Sequence, residues 1–182
     1  MNRTDAELIE AHRRGDASAV EALVERHVAR VRNLLFQLVL RRDEAEELTQ
    51  EVFVNVLKNL SGFRSESAFT TWLHRIAVNV VRESQRRGLR RRTEEIAATH
   101  GETASSLSPP EAELIRREQD ERVRLALERL TPPLRSAIVL TVMQGLSAVE
   151  AAEIEGCPVG TMYWRVSEAR RKLREDLQEF LE

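Results

Sequence analysis

Residues 147–174 have the side chains and the spacing that suit contact with duplex DNA. A short helical segment, a turn that contains Gly156 and a longer helical segment follow one another, as in a helix-turn-helix. In the longer segment Met162, Val166 and Ala169 recur at steps of three and four residues, so we expect them to point inward. The other side of such a helix can enter the major groove, with its first turns at the base edges. We predict duplex contacts from eight residues: Thr161, Tyr163, Trp164, Arg165, Ser167, Glu168, Arg170 and Arg171. The alternatives are a solvated helical hairpin and, for Trp164, packing on its own domain.

A second basic surface is expected near the middle of the chain. Phe69 and Trp72 lie at the start of a predicted helix, next to a polar loop at residues 64–67. Four polar residues of this helix recur at steps of three and four and share one face: Arg75, Asn79, Arg82 and Arg86. Cations beside an aromatic side chain suit single-stranded DNA, because phosphates meet the cations and a base can stack on the ring. The alternative places Phe69 and Trp72 in the core and the arginines in water.

The preceding helix is predicted to have an acidic, amide-bearing face, formed by Glu46, Glu47, Gln50, Glu51 and Asn55. This face could dock a basic surface of a partner protein, although a solvated face is the simpler interpretation. The same helix has an apolar row that we expect to be buried: Ala45, Leu48, Val52, Phe53, Val56 and Leu57.

Enzymatic and metal chemistry find little support. The four histidines, His12, His27, His74 and His100, do not form a spaced set of ligands or of catalytic groups with Cys157. A single cysteine excludes an internal disulfide, and we interpret Cys157 as a small turn residue rather than a redox sensor. We therefore expect no enzyme activity, no cofactor and no metal.

No segment is predicted to enter a membrane. The longest apolar stretch, residues 34–40, is far shorter than the roughly 20 residues that a membrane span needs. The N-terminal residues are acidic and lack the apolar core of a signal peptide. These observations favour a cytoplasmic protein.

The elements that position these surfaces are predicted to be helices throughout. Ala, Leu, Glu and Arg are abundant, whereas the chain has only 7 Gly and 5 Pro. Capping boxes at residues 4–7 and 147–150 mark two helix starts, and the helix with the arginine face should end near Gly88. The fold class is therefore all-α, with two small helical domains joined by a flexible linker.

Charge and composition define three segments. Residues 1–92 carry 17 basic and 13 acidic side chains, residues 93–121 carry 2 and 8, and residues 122–182 carry 9 of each. Residues 89–110 lack a helical period and contain several Ser, Thr, Gly and Pro. We predict a first domain at residues 1–92, an acidic flexible linker at 93–111 and a second domain at 112–182.

Three sets of residues, in the same order and at similar spacing, resemble bacterial RNA polymerase sigma factors of the small extracytoplasmic-function group. Residues 46–53 (EELTQEVF) resemble the segment that docks on the clamp helices of the largest polymerase subunit. Residues 63–79 (FRSESAFTTWLHRIAVN) resemble the loop and helix that recognise the −10 element. Residues 130–135 (LTPPLR), 145–147 (GLS) and 157–162 (CPVGTM) resemble the domain that recognises the −35 element.

The resemblance implies a promoter-recognition subunit that does no covalent chemistry. Its partners would be promoter DNA, the clamp helices and flap region of core RNA polymerase, and an anti-sigma factor. Polymerase docking would fall to Glu47, Gln50 and Glu51, and −35 recognition to the residues predicted above at 161–171. The unwound −10 strand would contact ten residues: Phe63, Arg64, Ser65, Ser67, Thr71, Trp72, Arg75, Asn79, Arg82 and Arg86.

Two other functions remain open at this point. A stand-alone helix-turn-helix regulator would bind duplex DNA tightly without polymerase. A helical adaptor would bind only protein, which suits the acidic face but not the arginine face.

Overall fold

The computed structural model describes residues 3–64, 67–94 and 121–178, with only the backbone at 89–94 and 178. Within these ranges every regular element is a helix, so the predicted all-α class is confirmed. Most of the predicted linker lies outside the described residues. None of the described helices is both long and apolar enough to cross a membrane.

Four helices build the N-terminal half: α1 (Asp5–Arg13), α2 (Ala17–Val39), α3 (Arg42–Asn59) and α4 (Phe69–Glu94), with a 3-10 turn (Leu60–Gly62) after α3. The prediction that the fourth helix ends near Gly88 is wrong, because α4 continues to Glu94. A single glycine weakens a helix by only about 1 kcal/mol relative to alanine, so it does not by itself end one.

The C-terminal half comprises α5 (helical at residues 121–129), α6 (Pro132–Ile138), a π-helical turn (Val139–Met143), α7 (Ala148–Glu155) and α8 (Val159–Gln178). In the π turn the Gln144 amide donates to the Val139 carbonyl at 2.9 Å, five residues earlier. The sequence has no local signal for this wider turn.

Both predicted capping boxes are present. The Thr4 amide donates to the Glu7 carboxylate at 2.6 Å, and the Glu7 amide donates to the Thr4 hydroxyl at 3.3 Å. At the start of α7 the corresponding distances between Ser147 and Glu150 are 2.9 and 3.2 Å. Hydrogen bonds from Thr4 and Ser147 lower the pKa of Glu7 and Glu150, respectively.

Helix α2 is the centre of the N-terminal core. Its residues Val31, Leu34 and Leu35 are completely buried, and the helix packs against α1, α3 and α4. On α3 the predicted inward row is buried except for Leu57, whose prediction is wrong, because 48% of the residue is exposed. Leu57 lies one residue, or about 100°, beyond the buried Val56 and so falls outside the side that α2 and α4 cover.

The two halves pack against each other. One continuous apolar cluster contains Val78 and Val81 of α4 together with Ala151 and Ile154 of α7. Leu40, which ends α2 with a φ of 62°, is buried in a second cluster with Leu127, Leu130 and Leu134 of the C-terminal half. This left-handed conformation costs a leucine on the order of 1–3 kcal/mol, and burial of its side chain offsets that cost.

Arg135 of α6 joins the ends of two helices. Its guanidinium donates to the carbonyls of Leu127, Glu128 and Leu130, where α5 ends, at 2.9 to 3.2 Å. It also donates to the Leu38 carbonyl near the end of α2 at 3.0 Å. Carbonyls in a last helical turn lack partners within the helix, so Arg135 satisfies groups of both halves at once. Burial lowers the pKa of Arg135.

Candidate nucleic-acid interface

The helix-turn-helix fixes the orientation of α8. Helix α7 ends at Gly156, whose φ of 61° lies in the left-handed region that favours glycine. Ala151 and Ala152 of α7 are buried, and their small side chains allow α8 to pack closely. On α8, Met162 and Ala169 are fully buried and Val166 is half-buried against both apolar clusters, so the inward direction predicted for these three residues is confirmed.

The first turns of α8 present two neighbouring aromatic side chains to solvent. Tyr163 is 61% exposed and Trp164 is 62% exposed. Ser167, one turn further on, is also exposed. The alternative that Trp164 packs on its own domain is therefore wrong. The outward side of α8 offers ring faces and hydroxyl groups at its N-terminal end.

The acidic and basic residues that follow on α8 form one charge network. Arg171 donates to Glu168 and to Glu175, each at a shortest distance of 2.6 Å. The hydrogen bonds from Arg171 lower the pKa of Glu168, and the pKa of Arg171 is raised in turn. Arg170 is exposed beside this network. Glu168 and Arg171 are thus coupled, and a change in one alters the other.

Arg165 departs from the outward row. Its side chain is 20% exposed and donates to the Glu155 carboxylate at 3.1 Å, with the Cys157 sulfur 3.8 Å away. Thr161 is half-buried. Among the eight predicted duplex contacts, Arg165 is engaged within the helix-turn-helix rather than directed outward in this arrangement.

The basic face of α4 is divided in two. Arg75, Asn79 and Arg86 are exposed. Arg82 instead reaches the C-terminal half, where its guanidinium donates to the Glu155 carboxylate at 2.5 Å and to the Glu155 carbonyl at 3.0 Å. Spacing places the four residues on one side of the helix, but contact with α7 separates Arg82 from the others.

An aromatic cluster supports the start of α4. The ring centroids of Phe63 and Trp72 are 5.1 Å apart, those of Phe69 and Trp72 are 5.6 Å apart, and the His27 ring lies 5.3 Å from Phe69. Phe63 and Phe69 are 6% and 7% exposed, so the core alternative holds for Phe69. Trp72 is half-buried and retains accessible surface.

Two predicted −10 contacts are buried. Phe63 belongs to the aromatic cluster, and Thr71 is 8% exposed. Neither side chain can meet a base in this conformation, because packing turns both toward the core. The Arg13 guanidinium donates to the Phe63 carbonyl and so ties the start of the loop to α1.

The rest of the loop is only partly described. Arg64 is exposed and Ser67 is half-buried, whereas Ser65 lies outside the described residues. Arg64 is thus the loop cation that the structure presents to solvent.

The exposed face of α3 is both acidic and apolar. Glu47 and Gln50 are exposed, and Val54 and Leu57, at steps of four and three further on, are 47% and 48% exposed. Glu51 is half-buried and accepts a hydrogen bond from Arg87 of α4 at 2.8 Å, which raises the pKa of Arg87. The sequence did not predict this apolar pair, because the pattern places Leu57 in the core and gives Val54 no distinguishing feature.

Glu155 is the other residue that sequence reasoning missed. It is 6% exposed, and it joins Arg82, Arg165 and the Ser136 hydroxyl. The sequence gives it no distinguishing feature beyond its place at a predicted turn, because its partners come from three different helices.

Family models match both halves of the chain. The model for sigma-70 region 2 matches residues 23–92, and the model for sigma-70 region 4 matches residues 120–173. Curated relatives match almost the whole length. RNA polymerase sigma-H factor of Pseudomonas aeruginosa is 32% identical, over 97% of this chain and 95% of the relative. The ECF RNA polymerase sigma-E factor of Haemophilus influenzae is 35% identical, over 96% of each chain.

Solved structures with a similar fold include two complexes. The sigma factor RpoE of Bartonella quintana, in complex with the anti-sigma factor NepR, is 25% identical with a TM-score of 0.71. That match covers 87% of this chain and 96% of the other. CnrH, in complex with the cytosolic domain of CnrY, has the same identity and TM-score and covers 96% of this chain and 97% of the other.

The two family models occur in the order that the sequence resemblance implies, and the relatives extend over both halves and the segment between them. The helix-turn-helix and the basic α4 face lie within the region 4 and region 2 matches, respectively. The chain belongs to the sigma-70 family of RNA polymerase sigma factors, in its extracytoplasmic-function group, and functions as an alternative sigma factor in transcription initiation.

Proposed function

We propose that the two halves divide promoter recognition between them. The N-terminal half docks on core polymerase and binds the unwound −10 strand, and the C-terminal half recognises the −35 element as duplex. The main support is the arrangement of α8, whose buried Met162 and Ala169 leave Tyr163 and Trp164 exposed on the first turns of a helix-turn-helix. Those turns are the ones that such domains insert into a major groove.

For the −35 element, base contacts fall to Tyr163, Trp164, Ser167 and Glu168. A carboxylate such as Glu168 can accept a hydrogen bond from the amino group of cytosine, and an aromatic ring can contact the methyl group of thymine. Arg170 and Arg171 would meet phosphates, which adds affinity without sequence preference. Resemblance to the sigma-factor family adds Thr161 and Arg165 to the proposed −35 contacts.

For the −10 element, the exposed Arg75 and Asn79 form the central contact. Trp72 lies one turn before Arg75, held by Phe63 and Phe69, so a displaced base could stack on its accessible surface. Arg64, Ser65 and Ser67 of the loop would meet the same strand, and Arg82 and Arg86 would contact phosphates beyond Asn79. We assign Phe63 and Thr71 a positioning role, because both are buried.

This half contributes binding rather than covalent chemistry. A surface that binds unwound DNA more tightly than paired DNA shifts the melting equilibrium by the difference between the two binding free energies. The chain therefore acts without a catalytic group of its own. Its site of action is the cytoplasm, where RNA polymerase works.

Polymerase docking is proposed for the exposed face of α3. Glu47 and Gln50 supply charge and hydrogen bonds to a basic helical partner, the clamp helices of the largest subunit. Val54 and Leu57 add apolar area, and Glu51 assists while paired with Arg87. The C-terminal half would in addition contact the polymerase flap. The complex of the sigma factor RpoE with the anti-sigma factor NepR supports an anti-sigma partner for this chain too.

The test combines run-off transcription on a promoter library, with purified core polymerase, and a pull-down that measures binding to core polymerase. We expect promoter-dependent transcripts from the wild-type chain and a loss of core binding of about tenfold or more for Glu47→Lys, because the charge opposite a basic surface is reversed. Glu25→Lys makes the same reversal at an exposed position of α2 and should bind normally. Equal binding of Glu47→Lys and wild type would refute the docking assignment.

The library also separates the two functions left open by the sequence. Tight duplex binding without polymerase, and no transcripts with it, would indicate a stand-alone regulator. Binding to protein without any promoter preference would indicate an adaptor.

A further inference from the structure

The Glu155 carboxylate, at the end of α7, collects one donor from each of three helices. Its Oε2 accepts from Arg82 of α4 at 2.5 Å and from Arg165 of α8 at 3.1 Å, and its Oε1 accepts from the Ser136 hydroxyl of α6 at 2.5 Å. The Glu155 side chain is 3% exposed. Arg82 and Arg165 are both among the residues proposed above to contact promoter DNA, yet here they share one oxygen of one carboxylate.

This arrangement is incompatible with simultaneous contact to both promoter elements. The −10 and −35 elements are about 25 base pairs apart, or about 85 Å of duplex at about 3.4 Å per base pair. Two guanidinium groups that bond the same oxygen cannot lie at the two ends of that distance. The halves must therefore separate before the chain can bind a whole promoter.

We propose that Glu155 is a latch that holds the two halves together and withholds Arg82 from DNA. This inference rests on the proposed function, because it concerns the same DNA contacts. When the two halves are packed together, the Glu155 carboxylate occupies the place that a DNA phosphate would take beside the Arg82 guanidinium. When the halves separate on DNA, Arg82 exchanges the Glu155 carboxylate for a phosphate.

The geometry makes the latch reversible. Ser136 and Arg165 belong to the same half as Glu155, so the carboxylate keeps two of its three donors when the halves separate. Only the bond to Arg82 crosses between the halves, and the Arg82 side chain is 37% exposed, so water or DNA can reach it. A buried carboxylate that lost every partner would oppose separation strongly.

Two other hydrogen bonds also join the halves and act together with the latch. The Gln144 amide donates to Gln37 at 2.8 Å, and Arg135 donates to the Leu38 carbonyl. A cavity of about 130 Å³ remains beside the latch, lined by Val78, Val81 and Pro132 among others.

The test compares full-length wild type, Glu155→Gln and the matched control Glu153→Gln, whose side chain is exposed on the same helix. Small-angle X-ray scattering measures separation of the halves. Two units of about 90 residues, each with a radius of gyration of about 12 Å, give about 16 Å when their centres are about 20 Å apart and about 21 Å when they are about 35 Å apart. We expect a larger radius for Glu155→Gln, with an increase of up to about 5 Å at full separation, and no change for Glu153→Gln.

Core polymerase binding provides the second measurement. If only the separated form can place both halves on core polymerase, the apparent dissociation constant is inversely proportional to the population of the separated form. We expect Glu155→Gln to bind core polymerase about three- to tenfold more tightly, because a partly exposed charge-assisted hydrogen bond is weakened. An unchanged radius together with unchanged affinity would overturn the latch, while promoter-dependent transcription by the wild type would leave the proposed function intact.

A second variant covers the possibility that Glu155→Gln unfolds, which thermal melting by circular dichroism would detect. Gln144→Ala removes a contact between the halves that involves none of the proposed DNA or polymerase residues. Gln144→Ala should increase the radius of gyration and the affinity for core polymerase, each by less than Glu155→Gln does. Suppose that Glu155→Gln is unfolded, and that Gln144→Ala is folded but leaves the radius of gyration and the affinity for core polymerase unchanged. Packing of the two halves then does not limit polymerase binding, and the proposal is wrong.

Discussion

His74 should make the fold sensitive to mild acid. It lies on α4, is 5% exposed, and its Nδ1 has no hydrogen-bond partner in the described part of the chain. Burial lowers the pKa of His74 to about 4, and the nearby Arg30 and His27 act in the same direction. His74→Leu removes both the titrating ring and the unpartnered nitrogen, and leaves an apolar side chain in an apolar core.

The sign and size of the effect follow from the two pKa values. The pKa of His74 is 6.5 in the unfolded chain and about 4 in the folded one, so acid protonates the unfolded chain first. This contribution to stability is present above about pH 6.5 and is lost as the pH falls toward 4. The difference of about 2.5 pKa units corresponds to about 3 kcal/mol in total, of which about 2 kcal/mol is lost between pH 7 and pH 5.

Urea unfolding at pH 7 and pH 5, followed by circular dichroism, measures the effect. Every other group titrates in both proteins, so the quantity of interest is the difference between their pH-dependent losses. The wild type should lose about 2 kcal/mol more than His74→Leu on going from pH 7 to pH 5. Equal losses in the two proteins would refute the assignment of a depressed pKa to this buried histidine.

Two further predictions concern the DNA contacts. Trp164→Ala should change the preferred −35 sequence, with a wrong base costing about 1–3 kcal/mol, while the free energy of unfolding stays within about 1 kcal/mol of wild type because the side chain is largely exposed. A sharp fall in melting temperature with an unchanged −35 preference, measured by selection from a promoter library, would contradict this. Asn79→Ala should reduce open-complex formation at −10 sites more than closed binding, as permanganate footprinting can measure, and Asn33→Ala on the exposed side of α2 should affect neither. Equal losses in both steps would exclude a role of Asn79 in strand capture.

The sequence determined the local architecture because local signals act over three or four residues. The Thr4–Glu7 and Ser147–Glu150 pairs satisfy amides within a single turn, so their sequence spacing was enough to place two helix starts. The buried Met162 and Ala169 likewise follow from helical period, and with them the outward direction of Tyr163 and Trp164. Within the proposed −35 face, the exposure of Tyr163 and Trp164 could therefore be predicted from the order of the residues, whereas the contact of Arg165 with Glu155 could not.

The −10 face could be predicted only in part, because period does not say which neighbour covers a given side of a helix. Four polar residues share one side of α4, but α7 packs against its second half and takes Arg82 away from Arg75 and Asn79. The loop residue Phe63, which the resemblance assigned to DNA, is buried against Trp72. On α3, Leu57 is exposed because the neighbouring helices do not reach it.

Only the tertiary structure could bring Arg82 to Glu155, 73 residues further along the chain. Nothing in the sequence near either residue distinguishes it from other charged residues on amphipathic helices. Their contact depends on how α4, α6, α7 and α8 pack around shared apolar side chains, and packing free energy is a property of whole faces rather than of spacing within one segment. The order of the residues specified the surfaces that can meet DNA, and the packing of the two halves decided which of those residues are held back.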